Sequence, residues 1–234
     1  MQRTLEPELM NDPAQAAAYA GRALDNAGWL FIQYFRKYFR KLPPQTTILD
    51  LGCGPATIPL RLAGLFPDCR IHGVDGAPDM LTLAHKAVLH EGLEQRLQLF
   101  QGILPGILPL PQKSYDIIMA NSFLHHLADP MVLWQALPTY GRPGAAVLIV
   151  DLLRPADHQE AEFVVDQYVP NAPPMLHRDM LLSLHAAFTL EEVREQLNQA
   201  QIFADFTLGM AATPFQFTLY GHLKIDGSTA LTGK

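Results

Sequence analysis

The chain has 234 residues, 49% of them hydrophobic and only 17% charged, with a formal charge of −6 at neutral pH. That length suits one large domain or two small ones, and the apolar content is too high for a disordered chain. No run approaches the ~18 apolar residues of a membrane span, no apolar leader is expected at the N-terminus, and the acidic balance lacks the basic footprint of a nucleic-acid binder. Two cysteines, Cys53 and Cys69, do not make a disulfide framework, so a cytoplasmic protein is expected.

Residues 1–41 read as helical: 14–24 are alanine-rich, and 29–39 set aromatics at helical spacing until Pro43 and Pro44 end the section. The aromatic stretch also carries Arg36, Lys37, Arg40 and Lys41, read as a solvated face. From there short apolar strands alternate with amphipathic stretches. Strands are expected over 46–51, 70–74, 97–101, 115–120 and 145–152, and helices over 57–66, 78–90 and 131–140, with Thr57 as a helix cap. Such alternation implies right-handed crossovers and a parallel sheet covered on both faces. The rhythm breaks after Leu153: residues 155–188 read as a helical insertion, and Thr189 with Glu192 carries a capping-box signature for the next helix. Residues 202–210 and 215–224 then alternate like an antiparallel pair, which completes a seven-stranded sheet.

The most informative stretch runs from Ile48 to Ala56, where a strand ending in Asp50 and Leu51 meets Gly52, Cys53 and Gly54 before a helix begins. Glycines there permit positive φ and let a ligand approach the backbone, and the helix start offers free N–H groups. Asp50 beside the turn repels a pyrophosphate and suits a ligand carrying an ammonium group. Twenty-five positions on, Asp75 closes the second strand, where an acid can accept hydrogen bonds from both hydroxyls of a ribose.

With these motifs the chain resembles the class I S-adenosylmethionine-dependent methyltransferases. The matching residues are Leu49 to Gly54, then Gly73 to Gly76 with Met80, then Ser114 to Asn121 followed by Leu124 to Leu127, and Leu137 to Asp151. The resemblance implies a Rossmann-like, doubly wound α/β sheet of seven strands with a C-terminal antiparallel hairpin. Residues 1–45 would form an N-terminal helical lid, and 46–234 the methyltransferase domain with its 155–188 insertion. It also implies that S-adenosylmethionine is bound and S-adenosylhomocysteine (SAH) released. Asp50, Gly52, Cys53 and Gly54 would line the methionine end, and Asp75 and Gly76 the ribose. Met80 would pack on adenine and Asn121 would lie beneath the sulfonium. Many relatives carry an aspartate where this chain has Ile103, so adenine recognition would rest on the backbone around Gly102 and Ile103 and on apolar packing.

Methyl transfer from a sulfonium needs alignment and exclusion of water, and a general base only where the acceptor arrives protonated. His126, His125 and Tyr19 are the candidate catalytic residues. Tyr168, Ser183 and His185 are candidates for binding the acceptor, within an insertion whose Phe163, Met175, Met180 and Leu184 could line an apolar pocket. No metal is expected, because the histidines lack ligand spacing. The expected partner is a small-molecule acceptor, with no nucleic acid and no membrane, for a monomer or homodimer. The alternatives are a non-catalytic S-adenosylmethionine-binding partner or sensor, and an NAD-dependent oxidoreductase, whose glycine fingerprint the turn partly imitates.

Overall fold

The central strands are near-continuous apolar runs with two buried faces, and the chain covers both. The computed structural model describes residues 1–6, 16–18, 28–168, 170 and 173–224. Its strands are β1 (Thr47–Leu51), β2 (Arg70–Asp75), β3 (Leu97–Gln101), β4 (Tyr115–Asn121), β5 (Gly141–Leu152), β6 (Phe206–Met210) and β7 (Gln216–His222). They form one seven-stranded sheet in the order β3-β2-β1-β4-β5-β7-β6. The first five are parallel, and β7 runs antiparallel to both β5 and β6. The order reverses between β1 and β4, and in open α/β sheets a ligand crevice opens at that switch point, beyond the carboxyl ends of the strands.

The helices are α1 (Gly28–Tyr38), α2 (Thr57–Leu65), α3 (Pro78–His90), α4 (Met131–Tyr140), α5 (His158–Tyr168), α6 (Pro174–Ala186) and α7 (Leu190–Gln199). On one face Phe31, Ile32 and Phe35 of α1 join Leu62 and Val88 against Ile48, Ile71, Ile117 and Leu148. On the other, Leu133, Trp134 and Leu137 of α4 and Val193 and Leu197 of α7 pack on Leu49, Ile118 and Val147. The insertion has its own small core, in which Ala161, Val165, Leu184 and Ala187 meet Leu152 and Phe215. No helix among the described residues is long and apolar enough to cross a membrane.

Within the segment 1–45, read as a helical lid, Phe31 and Phe35 are fully buried, so α1 is a layer of the core. Two sequence expectations change. Thr57 does not cap α2, because the capping position is Ala56 at φ 62°, without a side-chain hydrogen bond. The sixth strand starts at Phe206 rather than 202, since residues 203–205 form a single tight helical turn. The capping box of α7 is present as read, with Thr189 Oγ1 accepting from the Glu192 amide and Glu192 accepting from the Thr189 amide.

Candidate active site

The turn after β1 is tied to β2 by its backbone. The Gly52 and Cys53 amides both donate to the Val74 carbonyl, at 2.8 and 2.9 Å. Gly52 sits at φ 76°, and a Cβ on it would lie 2.4 Å from Phe123 Cδ2. Gly54, at φ 52°, has no heavy atom of the described residues within 4 Å of where a Cβ would stand. Close approach of the β4 loop therefore demands the first glycine, and backbone conformation demands the second. Gly52→Ala is expected to displace Phe123 and weaken nucleoside binding at least about tenfold by calorimetry, combining left-handed strain of ~1–2 kcal/mol with the clash. Unchanged affinity would show that Phe123 gives way freely.

Asp75 at the tip of β2 accepts from the Gly54 amide through Oδ2 and from the Ala77 amide through Oδ1, both at 2.8 Å. Burial raises its pKa above the ordinary value, although these amides and His126 oppose the shift. Asp50 is 3% exposed and accepts no hydrogen bond among the described residues. Burial, then the neighbouring Asp75, push its pKa up to about 8. A buried carboxyl without a partner, beside an open glycine turn, fits a ligand that brings a cation. The carboxylate held on two amides keeps lone pairs for hydroxyl donors. Cys53 is buried, and burial with both acids raises its thiol pKa well above the usual range, which disfavours the thiolate.

The apolar wall follows the sequence reading in part. Ile103 is exposed and lies against Gly76, where a Cβ would come within 3.1 Å of its Cγ1. Gly102 is required by Leu108, whose Cδ2 would be 2.6 Å from an added Cβ. Met80 is 3% exposed and clusters with Ala16 and Ala77, which leaves little of it to face a base.

Across the crevice β4 ends at Asn121, whose Nδ2 reaches Ser122 Oγ at 3.4 Å. Ser122 is held at φ 50°, a left-handed conformation costly for a non-glycine residue, and it aims the following turn, Leu124–His126. The two histidines of that turn have different surroundings. His125 Nδ1 meets Asp151 Oδ1 at 2.6 Å, with both side chains buried. Asp151 also accepts from the amides of Phe123, Leu124 and Leu152. It is therefore the anchor of the turn. His126 keeps 29% of its side chain exposed, and its Nδ1 lies 2.5 Å from Glu6 Oε2. The Ser183 hydroxyl donates to the other oxygen of Glu6 at 2.6 Å.

Glu6 arrives on a segment fastened by Arg3. That guanidinium donates to the carbonyls of Ala186, His125 and Leu127 and lies 3.8 Å above the Phe188 ring. Neither Arg3 nor Glu6 was among the site residues read from sequence, where nothing marks a contact spanning 120 positions. Ser183 is buried as part of this cluster, while the His185 ring is engaged with His158 at 3.3 Å. Tyr19 and the Tyr168 side chain lie outside the described residues. Glu6, His125 and His126 bring ligand-type atoms within 4.8 Å of one another. Their Nδ1 atoms and carboxylate oxygens are already engaged in hydrogen bonds, however, which describes a proton-sharing cluster. A separate cavity of about 480 Å³ lies between α5 and the β6–β7 turn, with Phe163, Val164 and Phe215 among its walls and Arg154 at its edge.

Residues 48–143 match a family described as a methyltransferase domain. A trans-aconitate 2-methyltransferase of an Azoarcus species is 30% identical over 109 residues, 46% of this chain and 40% of that protein. An uncharacterized methyltransferase of Schizosaccharomyces pombe is 28% identical over 136 residues, 56% of this chain and 46% of that protein. The chain thus spans less than half the length of these two relatives. Among solved structures, the plantazolicin methyltransferase BpumL, in complex with a triazolic desmethylPZN analog and SAH, has a TM-score of 0.67 at 16% identity and covers 90% of each chain. A SAM-dependent methyltransferase from Aquifex aeolicus has a TM-score of 0.63 at 18% identity and covers 91% of this chain and 98% of its own. The domain match spans β1 to the start of β5 and contains both acids and both glycines of the turn, which favours this family over a dinucleotide oxidoreductase. Residues 48–143 thus resemble a methyltransferase domain, set in a fold shared with S-adenosylmethionine-dependent methyltransferases.

Proposed function

We propose that this protein transfers a methyl group from S-adenosylmethionine to a small-molecule acceptor that enters from the side of the insertion. The observation that carries the reading is the acid pair on consecutive strands. Asp50 is buried and accepts no hydrogen bond among the described residues, and Asp75 is held by the Gly54 and Ala77 amides. In this reading Asp50 takes the cationic methionine end, Asp75 takes the ribose hydroxyls, and Ile103 offers an apolar surface to the base. Asn121 and the Ser122 turn border the reacting end. The cofactor supplies an electrophilic methyl group on a sulfonium; the protein aligns the acceptor and keeps water out. The name of the trans-aconitate relative supports a small acceptor, and the acidic net charge is ill suited to nucleic acid.

The test is a metabolite extract incubated with protein and isotopically labelled cofactor, followed by mass spectrometry of labelled products. One labelled small molecule is the expected result. Tight cofactor binding with no labelled product across extracts and acceptor panels would favour the non-catalytic binding role.

The acid pair makes a further prediction. With its pKa at about 8, Asp50 is largely protonated at pH 7 in the free protein. A bound cation favours the carboxylate, so cofactor binding at pH 7 is expected to release a proton. Calorimetry in buffers of different ionisation enthalpy reads this as buffer-dependent heat. Asp50→Asn is expected to abolish the dependence, and buffer-independent heat in the parent would place the cation elsewhere.

A further inference from the structure

The cluster around His126 extends the methyl-transfer reading, on which this inference rests. We propose that the N-terminal segment completes the acceptor site: Glu6, braced by Ser183, is a positioning residue that holds His126 as the proton acceptor for a weakly acidic O–H or S–H group of the substrate.

Four observations converge. First, His126 Nδ1 is fixed on Glu6 Oε2 at 2.5 Å, while its Nε2 makes no hydrogen bond among the described residues. With the Nδ1 proton committed to Glu6, the free nitrogen is the basic one. Second, both oxygens of Glu6 are engaged, on His126 and on Ser183 Oγ, so the carboxylate cannot swing away from the ring without losing two contacts. Third, His126 and Asp75 each favour the other's charged form, so the turn after β4 lies within electrostatic range of the acid at the tip of β2. Fourth, neighbouring groups keep the turn in place, since His125 is held on Asp151 and Arg3 donates to the carbonyls on either side of His126.

The charged groups facing His126 are Glu6 from the N-terminal segment, Asp151 from β5 and Asp75 from β2. The His125 ring lies 4.0 Å away, centroid to centroid. Burial lowers the imidazole pKa, but the Glu6 hydrogen bond and charge, followed by Asp151 and Asp75, more than offset it and raise it above the ordinary value. Burial likewise raises Glu6, and the bond and charge of His126, the charge of His125 and the Ser183 hydroxyl hold it at about 2. The carboxylate is therefore ionised wherever the imidazole titrates, and it stabilises the imidazolium that forms on proton uptake.

The step balances without a further reactant. As the acceptor oxygen or sulfur bonds to the methyl carbon, the methyl–sulfonium bond breaks with its electron pair on sulfur. The acceptor proton passes to His126 Nε2, and water later discharges it. Such a site favours phenols, enols or thiols over carboxylates, which arrive already ionised and need no base.

The test reads His126 directly. NMR titration of its ring in the cofactor-free protein, assigned with a His126→Gln variant, is expected to give a midpoint above the ordinary ~6.5. Glu6→Gln is expected to lower that midpoint by about one pH unit or more, Ser183→Ala by less, and Glu6→Asp to restore part of the shift. In label transfer, Glu6→Gln moves the acid limb of the rate profile to lower pH in parallel. It also lowers the plateau kcat about tenfold while KM changes less than about threefold. An unmoved midpoint and limb in Glu6→Gln, with the fold intact by thermal unfolding, overturns the role of Glu6 alone. A product methylated on a carboxylate overturns the acceptor class. A parent that binds the cofactor yet labels nothing overturns the methyl-transfer reading and the proton-acceptor role with it, while the ring titration still reports the pairing of Glu6 with His126.

Discussion

Replacing Asp151 with alanine is expected to lower folding stability by about 3–5 kcal/mol, as when one partner of a buried charged pair is removed. Asp151 is 1% exposed and accepts four hydrogen bonds of 2.6–2.7 Å, from the amides of Phe123, Leu124 and Leu152 and from His125. Its loss leaves buried donors without acceptors, which water does not reach. The pH dependence follows from the same contacts. Burial raises the Asp151 pKa, but the charge and hydrogen bond of His125 and the amides outweigh burial and hold it below the ordinary value. A depressed carboxylate contributes fully above its unfolded pKa of ~4 and loses its contribution as pH falls through the folded value. Denaturant titrations of parent and variant are therefore expected to converge as pH falls below about 4. A difference under about 1 kcal/mol at pH 7 would mean the turn repacks without its anchor.

Asp75→Ala is expected to weaken cofactor binding by about 3 kcal/mol, roughly a hundredfold. The carboxylate serves twice, as acceptor for ribose hydroxyls in the proposed function and as the support that holds the Gly54 and Ala77 amides in place. Asp75→Asn keeps the size and one acceptor oxygen, so it is expected to lose less. Titration calorimetry of both variants separates the two roles: equal losses would assign the effect to charge, and graded losses to the acceptor geometry. Unchanged affinity in the alanine variant would move the nucleoside site off β2.

Local chemistry was legible in the sequence, and long-range chemistry was not. β3, α3 and α4 have the boundaries read from periodicity, because strand alternation, Pro78 and the flanking turns are local signals. The glycine turn and the acids of β1 and β2 were legible for the same reason: strand, turn and helix follow one another within one crossover. What escaped depended on pairing across the fold. Glu6 is an unremarkable acid until 120 positions later His126 supplies its partner. Asp151 reads as a strand-end residue until the preceding loop folds its amides onto it. Ala56 illustrates tertiary structure overriding preference, since an alanine takes a left-handed conformation that a glycine would adopt freely. The aromatic helix α1 looked like a lid because its apolar face was visible and its partner was not; Tyr38 stacks on Tyr220 at 3.9 Å, far along the chain.

The acceptors that Arg3 uses are all main-chain carbonyls, those of Ala186, His125 and Leu127. Every residue type carries that oxygen, so the clamp depends on the backbone path, which at His125 is itself set by the contact with Asp151. Position 3 depends on its side chain: lysine offers a point charge where a planar fork spans three acceptors. Away from His125, His126 and Ser183, side-chain changes in the turn and in α6 thus leave intact the Arg3 attachment of the segment that brings Glu6. New acceptor specificities can be tried in the turn and in α6 while one arginine keeps the segment in place.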